Sequence, residues 1–430
     1  MKHRRITRRE LLGRTAALGA GAFLALRAPL GAISPGAFAA PLRRGKTKTI
    51  VAVFLRGGAD GLNMVVPYKD PLYREVRPRI GIPEKDEEGK KGVIVLDERF
   101  GLHPGLVAFK ELFEKKMFAP VVCVGSPHPT RSHFDAQDFM EYASPGMKTL
   151  KDGWLNRYLT ATRRQDAASS LRGIALQRLL PRSVRGEFPV LAAPEDTSDV
   201  KSVLNTFDDV YDVGGMQPMG EGMAEVGQDA SVEVGRETIE TLRRLYDILD
   251  KKSNPAADTA GYPRSGFAKQ LRRISQVIKA DAGLEVATVD IGGWDHHINE
   301  GGSSGDFFRK TSDFSSSIAA FSRDLGDRFE DVLVIVMTEF GRTVAENGNE
   351  GTDHGHGSVM LLASGALAGG KVFGKWQGLD PKFLYEGRDL TATTDYRTVF
   401  DETLLSFMRF DAPKDFFPKY DRVKPLGLFA

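Results

Sequence analysis

Seven histidines lie beyond residue 40, and six of them gather in three short segments. These are Pro127-His128-Pro129-Thr130-Arg131-Ser132-His133-Phe134-Asp135, Gly292-Gly293-Trp294-Asp295-His296-His297 and Asp353-His354-Gly355-His356-Gly357. Two further segments, Gly57-Gly58-Ala59-Asp60-Gly61-Leu62-Asn63 and Glu339-Phe340-Gly341-Arg342, add carboxylates and a guanidinium. Histidines scattered as packing or surface residues would not concentrate in this way. Neutral imidazole nitrogen and anionic carboxylate oxygen together are the donors that a divalent ion such as Zn, Mn, Ca or Mg requires. The competing reading is a set of capping and hydrogen-bonding residues that order loops.

Ser132 opens a predicted helix, and Asp135 follows at capping-box spacing. A helix N-terminus also presents free N–H groups and a positive dipole to an anion. A hydroxyl placed there can be activated as a nucleophile by a nearby metal. Arg131 and Arg342 are natural clamps for a tetrahedral anion, because guanidinium binds oxyanions in bidentate fashion. Arg342 also follows Glu339 by three residues, a spacing suited to an internal ion pair. Asp353 could orient His354 or His356 from behind, as carboxylates do for ligating imidazoles, with His133 and His296 as further supporting groups. Trp294 reads as a wall of the site or as core.

The elements that must position these groups are legible as apolar runs. Thr49–Leu55, Pro120–Val124, Leu284–Asp290, Val332–Thr338 and Val359–Ala363 are continuous and β-branched, as strands buried on both faces should be. Between them, helical periodicity runs over His103–Met117, Ser132–Tyr142, Val232–Leu249, Phe267–Ala280, Phe307–Phe329 and Tyr396–Met408. Alternation of this kind predicts an α/β fold, a mostly parallel sheet covered on both faces in a three-layer α/β/α sandwich. Ligands in such sheets bind beyond the carboxyl ends of the strands, where the polar segments fall. Asp212–Gly235 and Ser253–Ser265 lack period and read as loops around a helical insertion at about 195–282, placed to cover the site.

The first forty residues have another character. Thr7-Arg8-Arg9-Glu10-Leu11-Leu12 precedes an Ala/Gly/Leu-rich run from Thr15 to Leu26, and Ala37-Phe38-Ala39 supplies a small-x-small cleavage pattern. That is a twin-arginine signal, residues 1–39, expected to engage the Tat translocon and leave a single domain, 40–430, in the periplasm or another extracytoplasmic space. The apolar run is too short for a bilayer span, which needs roughly 20 apolar residues. Loss of the signal removes seven of 59 basic residues and one of 57 acidic residues, leaving the remainder four charges negative. No basic face for nucleic acid is suggested. Cys123, the only cysteine, can form no intramolecular disulfide and reads as packing within a strand.

Gly57–Asn63, Ser132-His133-Phe134, Gly293–His297, Thr338–Thr343 and Asp353-His354 together resemble the DUF1501 family of exported bacterial proteins. The resemblance covers nearly the whole mature chain. That family in turn looks like a distant branch of the alkaline phosphatase and sulfatase superfamily, in which a two-metal site is built at strand ends and a nucleophile at a helix N-terminus attacks phosphorus or sulfur. It implies Asp60 as a ligand of the nucleophile-side metal and Ser132, or Thr130, as nucleophile. Asp295, His297 and His354 would hold the other metal, while Glu339 would be the acidic ligand of an Asp-His pair. Phe340 stands where that pair's histidine belongs, and His296 where the family has a small polar residue. The sulfatase C/S-x-P-x-R motif is absent around Cys123. The resemblance therefore implies a hydrolase acting on a small anionic phosphate or sulfate-type ester through one or two ions. The alternative is a non-catalytic binding or assembly protein of the cell envelope on the same scaffold.

Overall fold

The structure is a computed structural model, and it describes residues 47–163, 171–177, 179–193, 230–250 and 255–430. The expected signal, residues 1–39, lies outside the described residues. So does most of the expected loop from Asp212 to Gly235.

Eight strands form the main sheet: β1 (Thr49–Leu55), β2 (Phe118–Gly125), β3 (Gly173–Ala175), β4 (Leu191–Ala192), β5 (Val286–Ile291), β6 (Val332–Met337), β7 (Ser358–Ala363) and β8 (Thr394–Asp395). Their order across the sheet is β8-β2-β7-β6-β1-β5-β3-β4. Parallel pairing joins β1 to β5 and β6, β3 to β4 and β5, and β8 to β2. Only β7 runs the other way, antiparallel to both β2 and β6. A small three-stranded sheet, Val65–Val66 with Gly101–Leu102 and Ile94–Val95, stands apart.

Side chains along β1 alternate between two cores. Val51, Val53 and Leu55 join Leu271, Ile274 and Val277 of helix α4 (Gly266–Lys279) and Phe314, Ile318 and Phe321 of α5 (Asp306–Leu325). Ile50, Ala52 and Phe54 face the opposite layer, with Met140 of α1 (His133–Glu141), Trp154 and Leu155 of α2 (Trp154–Ala161), and Val399 and Phe400 of α6 (Tyr396–Glu402). A period of two sends neighbouring residues to opposite faces, so a wholly apolar strand demands helices on both sides. That is the three-layer sandwich the sequence predicts. Helix α3 (Ala230–Leu249) and α4 lie within the expected insertion at about 195–282, yet α4 buries its apolar face in the main core.

The structure departs from expectation where backbone chemistry interrupts periodicity. His103–Met117 is two pieces, a 3-10 turn at Pro104–Leu106 and an α-helix at Phe109–Glu114, because the His103 ring caps the turn by accepting from Gly105 N at 3.0 Å. Within β2, Cys123 has φ 55° at a register shift opposite Ser358 and Val359, a bulge that breaks the ladder.

The five principal polar segments meet at one edge of this sheet. Those at 57–63, 127–135, 292–297 and 339–342 follow β1, β2, β5 and β6, whose ends are in register: Phe54 pairs with Asp290 and with Met337. Residues 353–357 precede β7, and its reversal brings them to the same edge.

Candidate metal centre

Three donor atoms converge beyond the ends of β5 and β7. His297 Nε2 lies 3.0 Å from His354 Nε2 and 3.1 Å from Asp295 Oδ1, and His354 Nε2 lies 3.3 Å from the same oxygen. A fourth, His133 Nε2, stands 3.5 Å from Asp295 Oδ2. His133, Asp295 and His354 each place a ligand atom within 4.8 Å of the other two.

The far side of each ring fixes its tautomer. His354 Nδ1 is 2.9 Å from the Arg131 carbonyl, which can only accept, so Nδ1 carries the proton. His297 Nδ1 donates to Asp353 Oδ1 at 3.2 Å and His133 Nδ1 to Glu339 Oε1 at 2.8 Å. Burial pushes both of those carboxyls up, but their hydrogen bonds outweigh it and hold them below the usual range, so both accept as carboxylates. In the neutral form of each ring, Nε2 is then the nitrogen that carries the lone pair, and it is turned inward. His133 Nε2 is buried with no hydrogen-bond partner. Hydrogen bonding to Glu339 raises the proton affinity of His133, and the same polarisation makes its imidazole a stronger ligand. Burial lowers that of His354 and keeps it neutral.

Lone pairs packed this closely repel unless something positive lies between them. Two ligands on a tetrahedral zinc, with bonds of about 2.0–2.1 Å, are about 3.3 Å apart. The observed triangle of 3.0, 3.1 and 3.3 Å has the dimensions of one face of such a tetrahedron. The donors therefore fit a divalent ion.

Local structure explains the positions. His133 is the first residue of α1, where the chain turns after β2. Arg342, 3% exposed, donates to Gly58 O (2.5 Å), Thr352 O (2.9 Å), Gly57 O and Asp295 Oδ1 (2.6 Å), pinning three segments and the carboxylate together. Burial pushes the Asp295 carboxyl up, and Arg342 together with His297 and His133 more than reverses that, holding it below the usual range. Gly57 has φ +120°, and a Cβ there would stand 2.6 Å from Asp295 N. The turn needs glycine on both counts. Phe340, buried at the position where the resemblance implies a histidine, packs its ring 4.8 Å from that of His133 and 4.7 Å from that of His354.

Several residues singled out in the sequence are placed elsewhere. Asp60 is 2% exposed and bonded to Arg77 (2.5 Å), capping the helix at Gly61–Met64, so it is not among the converging donors. Glu339 Oε1 is filled by His133, Gln137 (2.8 Å) and Gly57 N (2.9 Å), with the Thr338 hydroxyl 3.1 Å from Oε2. It holds His133 from behind, and His133, expected as support, stands among the converging donors. Arg131 pairs with Asp389 (2.7 Å) and Glu386 (2.6 Å), which occupies the guanidinium expected as an anion clamp. Arg342 meets Asp295, not Glu339. Asp290 is tied to Arg56 (3.0 Å). His296 bonds Asp306 (3.0 Å), and His356 bonds Ser126 O (3.0 Å) and stacks on Tyr385. Ser132 is exposed and makes no side-chain cap bond, and Asp135 pairs with Lys148, so the capping box does not form. Sequence reasoning missed Gln137 and Arg77. A polar residue at the fifth position of a helix and an arginine in a loop carry no signal of their own.

A family model described as a protein of unknown function, DUF1501, matches residues 118–416. None of the curated proteins matches the sequence. Among solved structures, the C-terminal periplasmic domain of EcEptC from Escherichia coli, crystallised in complex with Zn, is similar at 10% sequence identity and a TM-score of 0.32, with 74% of each chain covered. A likeness of that size carries no argument about chemistry. No helix among the described residues is long and apolar enough to cross a membrane.

Proposed function

The chain belongs to the DUF1501 family, and from that premise we propose that it is an exported hydrolase of phosphate or sulfate-type esters, working through one divalent ion held by His133, Asp295, His297 and His354. The observation that carries this reading is the triangle of inward lone pairs at 3.0–3.3 Å, each ring fixed from behind by an acceptor. One ion is proposed because Asp60 is committed to Arg77 and Glu339 is filled by its own donors.

A bound cation would supply Lewis acidity toward an ester oxygen. The chain supplies the rest. The guanidinium of Arg342 keeps Asp295 ionised and oriented. Asp353, Glu339 and the Arg131 carbonyl hold the three rings. The Ser132 hydroxyl, released from capping beside His133 at the start of α1, is the proposed nucleophile. Export by the twin-arginine route belongs to the same proposal.

Elemental analysis of protein purified without chelator, followed by a panel of aryl phosphate and sulfate esters, tests it. About one zinc or other divalent ion per chain and turnover lost on chelation are expected. Absence of metal, with no turnover on adding Zn, Mn, Ca or Mg, overturns it.

A further inference from the structure

Among the described residues, seven large apolar side chains are exposed, and three of them are valines. The other four are Phe134 (79%), Leu179 (70%), Ile298 (61%) and Phe383 (41%). All four stand at the sheet edge that carries the candidate metal centre: Phe134 in the first turn of α1, Phe383 at the end of the 3-10 turn Pro381–Phe383, and Leu179 and Ile298 on loops. Phe134 follows His133, and Ile298 follows His297. Leu179 follows β3, and its carbonyl accepts from Gln177 (3.0 Å), which also reaches Asp290 at the end of β5 (3.3 Å). Phe383 lies on the segment whose Arg388 donates to the His354 carbonyl (3.0 Å) and whose Asp389 holds Arg131.

Exposed side chains of this size are unfavourable in water, and their concentration on one face marks a contact surface. Their exposure says what kind. A pocket for a small soluble ester would bury its apolar walls, whereas these side chains are exposed on four separate segments around the donors. Projecting phenyl and aliphatic groups are suited to entering the interfacial layer of a lipid surface. The Lys382 ammonium, 4.8 Å over the Phe383 ring, belongs at the polar margin of such a contact.

We propose that this edge docks on a phospholipid surface, with Phe134, Leu179, Ile298 and Phe383 entering the interface so that the centre meets phosphoester headgroups. The headgroup assignment rests on the proposed function; the docking does not. Mature protein is mixed with phosphatidylcholine vesicles and sedimented, with and without chelator. Binding in both conditions is expected, falling at least tenfold in a Phe134→Ser, Ile298→Ser variant whose melting temperature matches the parent. Phe134→Trp supplies an independent readout: its emission should shift to the blue with vesicles and be quenched by brominated acyl chains. Parent protein that stays in the supernatant, unchanged binding by the double variant, or an unresponsive tryptophan overturns the docking. Vesicle binding without metal uptake or hydrolysis leaves docking standing and removes the proposed function. Equal kcat/KM on 4-nitrophenyl phosphate and on vesicle lipid overturns the headgroup assignment.

Discussion

An imidazole has two nitrogens, and His133, His297 and His354 each give one to an acceptor so that the other can face the centre. Replacing Glu339 by glutamine removes the negative charge behind His133. Metal affinity, measured by competition with a chromophoric chelator, should fall about 10–100-fold, the usual effect of losing such a partner. Asp295→Ala should abolish uptake altogether, since that carboxylate is shared by three of the contacts. Sequence reading located the groups of this edge because residue type and position after apolar runs are written in the chain. It could not assign roles within a pair, since either partner of His133 and Glu339 has the chemistry to bind a cation, and packing decides which is buried. Asp60 is the sharper case. Its partner Arg77 arrives from a loop of no period, and a fully buried guanidinium is stable only with that carboxylate beside it. Arg77→Met should destabilise the fold by about 3–5 kcal/mol in urea titration, the range for stranding one member of a buried pair.

At the level of elements, the five long strands were legible because each is a run of apolar residues buried on both faces. β3, β4 and β8 are only two or three residues long, too short to show any period, and α2 is not among the helices that the sequence predicts. The turn after β1 is where local geometry and the centre meet. Gly57→Ala would put a methyl group against Asp295 N and force an L residue to φ +120°. We expect a loss of more than about 1 kcal/mol in stability, with weakened metal uptake because Asp295 must shift. A variant that keeps both would show that the turn is softer than its contacts suggest.

Across the whole molecule, buried ionisable groups tie stability to pH. Glu300 is fully buried, and burial together with the neighbouring Asp60 charge raises its pKa well above 4.5. The folded state then keeps a proton that the unfolded chain releases, so stability falls as pH rises above about 4.5. Burial pushes His103 down to about 4, which has the opposite sign: its contribution is complete above 6.5 and fades as pH falls toward 4. In chelated protein, the melting temperature of Glu300→Gln relative to the parent should rise as the pH is raised from 5, up to the pH at which Glu300 ionises in the folded state, and a constant difference would contradict this. For export, Arg8→Lys with Arg9→Lys should leave precursor in the cytoplasm, read by fractionation. The lone reversed strand, β7, has a consequence of another kind. It seats His354 against the Arg131 carbonyl, 223 positions away in the chain, and does so only after inserting between β2 and β6. A ribosome must therefore release nearly the entire polypeptide before the proposed cation can be gripped. If the proposed ion is bound, its retention becomes a readout of finished assembly, and a lesion remote from every donor should reveal itself first as a protein that emerges metal-free.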